Sequence, residues 1–171
     1  MSRFIIWVDA DSCPLQVRNC ILNNSKSKKM NVVFVANHQI PCPEDSDIFK
    51  MVICEKKDGA ADDYIFENCR DTDIVVTRDI AFAERLVKKQ IFVMNDRGTV
   101  FTKENIGERM SERNFNLTLA SLGLGGSGAK TYGKKELQKF AAAFERQTSQ
   151  LLMNEYAAQI RSAPKEEKST R

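Results

Sequence analysis

Histidine is nearly absent from this chain: His38 is the only one among 171 residues. The five cysteines, Cys13, Cys20, Cys42, Cys54 and Cys69, include no C-x-x-C pair. Together these gaps argue against a structural zinc site, which needs several thiolate or imidazole ligands at short spacing. An odd number of scattered cysteines suits a reducing compartment better than a disulfide framework. Long apolar runs are missing as well. The run FIIWV before the first acid is too short for a signal-peptide core or a bilayer span, so the expected location is cytoplasmic. Strong net charge is also lacking, with 26 Lys and Arg against 23 Asp and Glu, a formal +3. Four basic and two acidic residues lie between Arg161 and Arg171, so most of that surplus belongs to the tail. Polyanion binding must then rest on a local basic rim rather than on a global field. Glycine is scarce and unevenly spread, with five of the eight between Gly123 and Gly133, where they match neither a P-loop nor a dinucleotide fingerprint.

What is present is the composition of an ordinary globular domain, 42% hydrophobic and 29% charged. Its length allows one domain with a real core. Strand-like runs are expected at 4–8, 31–36, 51–54, 73–77 and 91–94, with a small edge strand at 99–101. Helical patterns start after Pro14, after Gly59 and at Ile80, the first running to about Ser25 before the polar stretch 23–29 breaks it. Thr102 is placed to cap a helix containing Ile106 and Met110, and residues 115–122 are apolar at helical spacing. The β-α-β-β-α-β-α-β order predicts a three-layer α/β fold with a mostly parallel sheet of about five strands. The expected organisation is an α/β domain over 1–122, a flexible glycine-rich segment over 123–133, a helix over 134–161 packing on the domain, and a disordered tail over 162–171. That long helix carries Leu137, Phe140, Phe144, Leu151 and Leu152 on its apolar side, and it is the candidate contact for a homodimer.

The informative pattern is that strand-like runs keep ending on acids. FIIWV runs into Asp9 and Asp11, IVVT reaches Asp79 through Arg78, and IFVM reaches Asp96 through Asn95. Ligands of a parallel α/β sheet bind outside the carboxyl ends of its strands, so acids repeated there converge in space. Asp62 and Asp63 open a helix, and one of the two should face the same edge. Clustered carboxylates repel, and a divalent cation is a common way to hold them together. Asp9, Asp11 and Asp79 are the expected ligands of Mg²⁺ or Mn²⁺, with Asp62 or Asp63 as a further acid and Thr77 able to bond a carboxylate. The chemistry such a site serves is phosphodiester hydrolysis or phosphoryl transfer. Against this, any one of Asp11, Asp62 and Asp79 could simply cap the helix that follows it.

The strings Ile6-Trp7-Val8-Asp9-Ala10-Asp11-Ser12-Cys13-Pro14, Val35-Ala36-Asn37, Ala61-Asp62, Val75-Val76-Thr77-Arg78-Asp79 and Arg97-Gly98 resemble the YaiI/YqxD family of PIN-like bacterial proteins. The resemblance covers roughly residues 4–155. It implies a PIN-like fold and, by analogy with PIN ribonucleases, a metal-dependent nuclease acting on single-stranded RNA. Carried over, the first ligand is Asp9, the second acid Asp62 or Asp63, and the third Asp79, with Asp11 an additional ligand or water positioner. The second acid is Asp where PIN nucleases often have Glu, and the turn reads Asn95-Asp96-Arg97-Gly98. Asp96 is there either an extra ligand or a turn residue, with the turn favoured.

Two other classes compete. An apolar strand followed by Asp-x-Asp also opens haloacid-dehalogenase-type phosphatases, in which Asp9 would be the nucleophile and Asp11 the acid. The third class is a PIN-like module that binds RNA or protein without cleaving. Arg78 and Arg97 are candidates to hold a substrate phosphate, with Arg113 a lesser one, and Asn37 is a candidate for phosphate or ribose. Cys13 beside Pro14 reads as a packing residue, because nothing in the sequence brings His38 near it as a base.

Overall fold

The aromatic and β-branched run at the amino terminus becomes β1 (Ile5–Asp9), and its side chains separate with period two onto the two faces of a sheet. Ile6 and Val8 join one buried cluster and Trp7 the other. The structure, a computed structural model, describes residues 2–41, 46–125 and 131–162. In it β1 is followed by α1 (Leu15–Lys28), β2 (Asn31–Ala36), β3 (Phe49–Ile53), α2 (Ala60–Asn68), β4 (Ile74–Val76), α3 (Ile80–Lys88), β5 (Phe92–Met94), β6 (Val100–Phe101), α4 (Ile106–Ser121) and α5 (Lys134–Ser162). The expected α/β order is present, and β6 is the small edge strand expected at 99–101.

The sheet order is β3-β2-β1-β4-β5-β6, parallel throughout except for the antiparallel edge strand β6. From β1 the chain builds outward through β2 to β3, then crosses back to lay β4 on the other side of β1. The order therefore reverses between β1 and β4, and a crevice opens there at the carboxyl ends. One face of the sheet is covered by α1 and α5, whose Val17, Ile21, Phe140 and Phe144 pack with Ile6, Val8 and Val76. The other carries Ile65 of α2 and Phe82 and Leu86 of α3 against Trp7, Val75 and Val93. These are the three layers.

Two local expectations change. The polar stretch 23–29 does not break α1, which continues to Lys28 and stops at Lys29 in a left-handed conformation (φ 54°). Lys26 and Lys28 lie in its last turn, where the helix dipole favours cations, and Lys28 also bonds Ser149 of α5. The two apolar patches after Thr102 form the single helix α4. Thr102 and Asn105 exchange hydrogen bonds at its start, 2.9 Å from Thr102 N–H to Asn105 Oδ1 and 3.3 Å in return. In α5 Phe140 and Phe144 are fully buried, and Leu137, Leu151 and Leu152 pack half-buried on the same cluster. Of the glycine-rich segment, 126–130 lie outside the described residues, as do 163–171 of the tail and 42–45 of the loop before β3. No described helix is long and apolar enough to cross a membrane.

Candidate functional site

A cleft of about 270 Å³ opens at the reversal point, lined by Asp9, Asp11, Ser12, Asn37, Lys57, Asp58, Asp62 and Asp79 among others. Four of the acids read from the sequence therefore meet. Asp9 ends β1 and is 6% exposed. Its Oδ2 accepts from Ser12 Oγ at 2.8 Å and from Thr77 Oγ1 at 3.0 Å. Thr77 in turn accepts the Asp79 N–H at 3.1 Å. The hydroxyl thus ties the carboxyl ends of β1 and β4 together across the reversal. Burial pushes the Asp9 pKa up, the Ser12 and Thr77 hydrogen bonds pull it back, and the charges of Asp11 and Asp79 raise it again.

Asp11 lies past the end of β1, and both its oxygens accept the Asn37 N–H, at 3.1 and 3.0 Å. It caps no helix. Asn37 thus reaches the site through its backbone, while its side-chain Oδ1 lies 2.9 Å from His38 Nδ1. His38, which no sequence feature tied to the acids, lies 3.2 Å from Asp11 through the same nitrogen. Ser12, Lys57 and Asp58 were also missed. Ser12 carried a signal, since a hydroxyl three residues after Asp9 in a turn can bond back to it. His38 and Lys57 sit on connections whose course no periodicity sets.

Asp62 and Asp63 part company. Successive helical residues point about 100° apart, so when Ala61 and Ile65 face the sheet only one of the two acids can lean toward the cleft. That one is Asp62, in the first turn of α2, which starts at left-handed Gly59 (φ 78°). Desolvation, then the charges of Asp9 and Asp79, push its carboxyl up to about 7, with Arg85 lowering it and Asp63 raising it further. Asp63 turns outward to an ion pair with Arg85 at 3.1 Å. Asp79 is the one true cap, its Oδ1 accepting the Phe82 N–H of α3 at 3.0 Å.

Arg78, expected to reach a phosphate beside the acids, points the other way. It lies two residues past Val76, the end of β4, and continues the alternation of that strand onto the side opposite Thr77. There its Nη2 and Nε lie 2.6 and 2.7 Å from Asp96 Oδ2. Asp96 is 3% exposed, so it is a buried ion-pair partner and not an extra ligand. The turn chemistry belongs to Asn95, whose Oδ1 accepts the Arg97 and Thr99 N–H groups. Arg78, Asp96 and Arg97 line a separate cleft with Tyr132 and Arg109, and it is Arg109 of α4 rather than Arg113 that faces it. Cys13 is buried in the core with Val8 and Val17, and burial with the Asp96 charge pushes its thiol to about 12, so it packs as a neutral group. A further acid, Asp73, sits at the amino end of β4, where its oxygens accept the Ile5 N–H, the Trp7 Nε1–H and the Arg70 N–H. Its role is structural.

Fold and site together define a three-layer α/β protein with an acid-lined cleft at the reversal point of its sheet. The chain belongs to the YaiI/YqxD family: the model described as "Uncharacterized BCR, YaiI/YqxD family" matches residues 7–150, a span holding every acid of the cleft. It is 45% identical over 136 residues to a "UPF0178 protein" of Treponema denticola, covering 80% of this chain and 86% of that one. It is 41% identical over 147 residues to one of Treponema pallidum, covering 86% and 82%. A Myxococcus xanthus relative is 39% identical over 150 residues, covering 88% and 97%. No solved structure matches the chain significantly.

Proposed function

We propose that the chain is a divalent-metal-dependent phosphodiesterase acting on RNA, with the acid-lined cleft as its active site. The observation that carries this reading is the convergence of Asp9, Asp11, Asp62 and Asp79 on one crevice, where burial first and the charges of Asp9 and Asp79 next lift the Asp62 carboxyl to about 7. Among the described residues, no three of the Asp, Glu, His and Cys side chains are close enough to grip an ion unaided. An ion in the cleft would therefore have to keep several waters, as Mg²⁺ and Mn²⁺ do when one or two carboxylates hold them. Asp9 fits as a ligand through Oδ1, because its hydroxyl bonds both fall on Oδ2, and Asp62 fits beside it. Asp11 and Asp79, each engaged by a backbone N–H, suit contacts through water. A bound ion supplies positive charge to the phosphoryl oxygens. Ser12 and Thr77 fix the Asp9 carboxylate, and Asp62, pushed up to about 7 in the metal-free cleft, would give up its proton on joining Asp9 at an ion. The resemblance to PIN-type nucleases supports the same order of acids.

The test is to incubate labelled single-stranded RNA with Mn²⁺ and the intact protein, Asp9→Asn or Asp79→Asn. The expected result is cleavage that falls at least about 100-fold in each variant. No cleavage by the intact protein, or equal cleavage by all three, refutes the reading. Isolation of a phosphorylated Asp9 would show the phosphatase chemistry instead.

A further inference from the structure

The second cleft, about 620 Å³, lies beside the acid-lined one, and the Thr77-Arg78-Asp79 segment separates them. Its volume is that of a ligand-sized site rather than a single ion. Three guanidinium groups converge on it, from Arg78, Arg97 and Arg109, against the carboxylates of Asp96 and Glu112. Asp96 compensates Arg78 closely, at 2.6 Å. Arg109 lies 3.3 Å from Glu112 in an exposed pair, and Arg97 lies 3.8 Å from Glu136. An exposed pair such as Arg109–Glu112 contributes little, so an incoming anion displaces it cheaply. Tyr132 forms an aromatic wall, with the Arg78 and Arg97 guanidinium carbons 6.0 and 5.6 Å from its ring centroid. Its hydroxyl donates to the Asp96 carbonyl at 2.7 Å, which fixes the ring in place. Arginine forks match phosphate oxygens, and a fixed aromatic ring matches the face of a base; that pairing is how single strands are held without regard to sequence.

We propose that this cleft holds single-stranded nucleic acid, with a base against Tyr132 and its flanking phosphates on Arg97 and Arg109. The strand then passes Arg78 into the acid-lined cleft. The inference rests on the phosphodiesterase reading only for what happens to the strand there; the holding itself needs neither acids nor metal.

The experiment is an anisotropy titration of fluorescein-labelled U10, dT10 and a ten-base-pair RNA duplex, in EDTA, at several salt concentrations. Melting curves confirm that each variant is folded. The intact protein should prefer either single strand to the duplex, whose bases are not open to stacking, and comparing U10 with dT10 distinguishes ribose from deoxyribose strands. R97A/R109A should bind U10 at least about tenfold more weakly, with the slope of log affinity against log salt reduced by about 1.4, as expected for two lost phosphate contacts at ~0.7 each. Y132A should lose about tenfold while Y132F stays within about twofold, since stacking needs the ring and not the hydroxyl. K26A/K29A, which removes the same charge at the opposite end of the sheet, should bind like the intact protein. Equal binding by R97A/R109A and the intact protein, an equal loss in K26A/K29A, or a preference for the duplex would overturn the proposal. Binding with these properties but no cleavage in Mn²⁺ would refute the phosphodiesterase reading alone. Cleavage that survives R97A/R109A with unchanged binding would refute this one alone.

Discussion

At the scale of single residues, the acids of this chain divide by the end of the sheet they occupy. Asp62 lies at the carboxyl end and is held against its own charge, because burial and the neighbouring Asp9 and Asp79 push its carboxyl to about 7. A folded-state pKa above the unfolded value means that the folded chain binds the proton more tightly, so ionising Asp62 destabilises the fold as pH rises from about 4 through 7. Asp62→Asn should therefore raise the melting temperature by at least about 2 °C at pH 8, with the gain shrinking as pH falls and vanishing below about pH 4. A pH-independent change, or a loss at pH 8, would contradict the raised Asp62 pKa. Asp73, at the amino end, is the opposite case: buried and held by two backbone N–H groups, the Trp7 indole and an Arg70 ion pair at 3.2 Å. Asp73→Ala should cost about 3 kcal/mol or more in denaturant unfolding while leaving any cleavage by the folded fraction intact. Much of this was legible. Acids after strand runs marked the cleft, and alternation along the strand gave the means to send Arg78 away from them, since Val75 and Thr77 share one face and Val76 and Arg78 the other. The choice of Asp62 over Asp63 depends on the roll of α2, which only its packing through Ala61 and Ile65 fixes.

At the scale of elements, the turn between β5 and β6 shows how a short segment is held from outside. Gly98 has φ 82°, and a Cβ there would lie 2.5 Å from the Lys139 carbonyl oxygen of α5. The glycine therefore satisfies both a left-handed backbone and a helix pressed against it. Gly98→Ala should cost about 2 kcal/mol or more. Gly107, inside α4 with open space where a Cβ would go, provides the contrast: Gly107→Ala should add about 0.5–1 kcal/mol, because alanine loses less entropy in a helix. Similar effects of both substitutions in urea unfolding would show that α5 does not press on the turn. The sequence made Arg97-Gly98 readable as a turn, but α5 as its other wall was not readable, because the contact joins positions some forty residues apart with no shared period.

At the scale of the whole molecule, the cleft exists because the sheet reverses direction between β1 and β4, and that reversal brings Asp9, from the start of the chain, together with Asp79. The β-α-β-β-α-β-α-β order announced a parallel sheet, yet the same order is compatible with other strand arrangements, so the place where the acids meet was known only as an end of the sheet. Their convergence has a thermodynamic cost: Asp9 and Asp62 both have raised pKa values, caused first by burial and then by neighbouring acids. A cation that binds the folded cleft and not the unfolded chain should offset that cost. At ten times its dissociation constant Mn²⁺ adds about 1.4 kcal/mol, which for a chain of this size corresponds to a rise in melting temperature of ~3–6 °C. Asp9→Asn should lose at least half of the rise, because it removes a direct ligand, whereas Asp63→Asn should keep all of it, because Asp63 faces Arg85 on the outside of α2. The measurement is a melting curve at pH 7.5 with and without Mn²⁺ for the three proteins. An equal rise in all of them would place the ion elsewhere on the surface, and no rise in the intact protein at millimolar Mn²⁺ would remove the metal from the proposed chemistry.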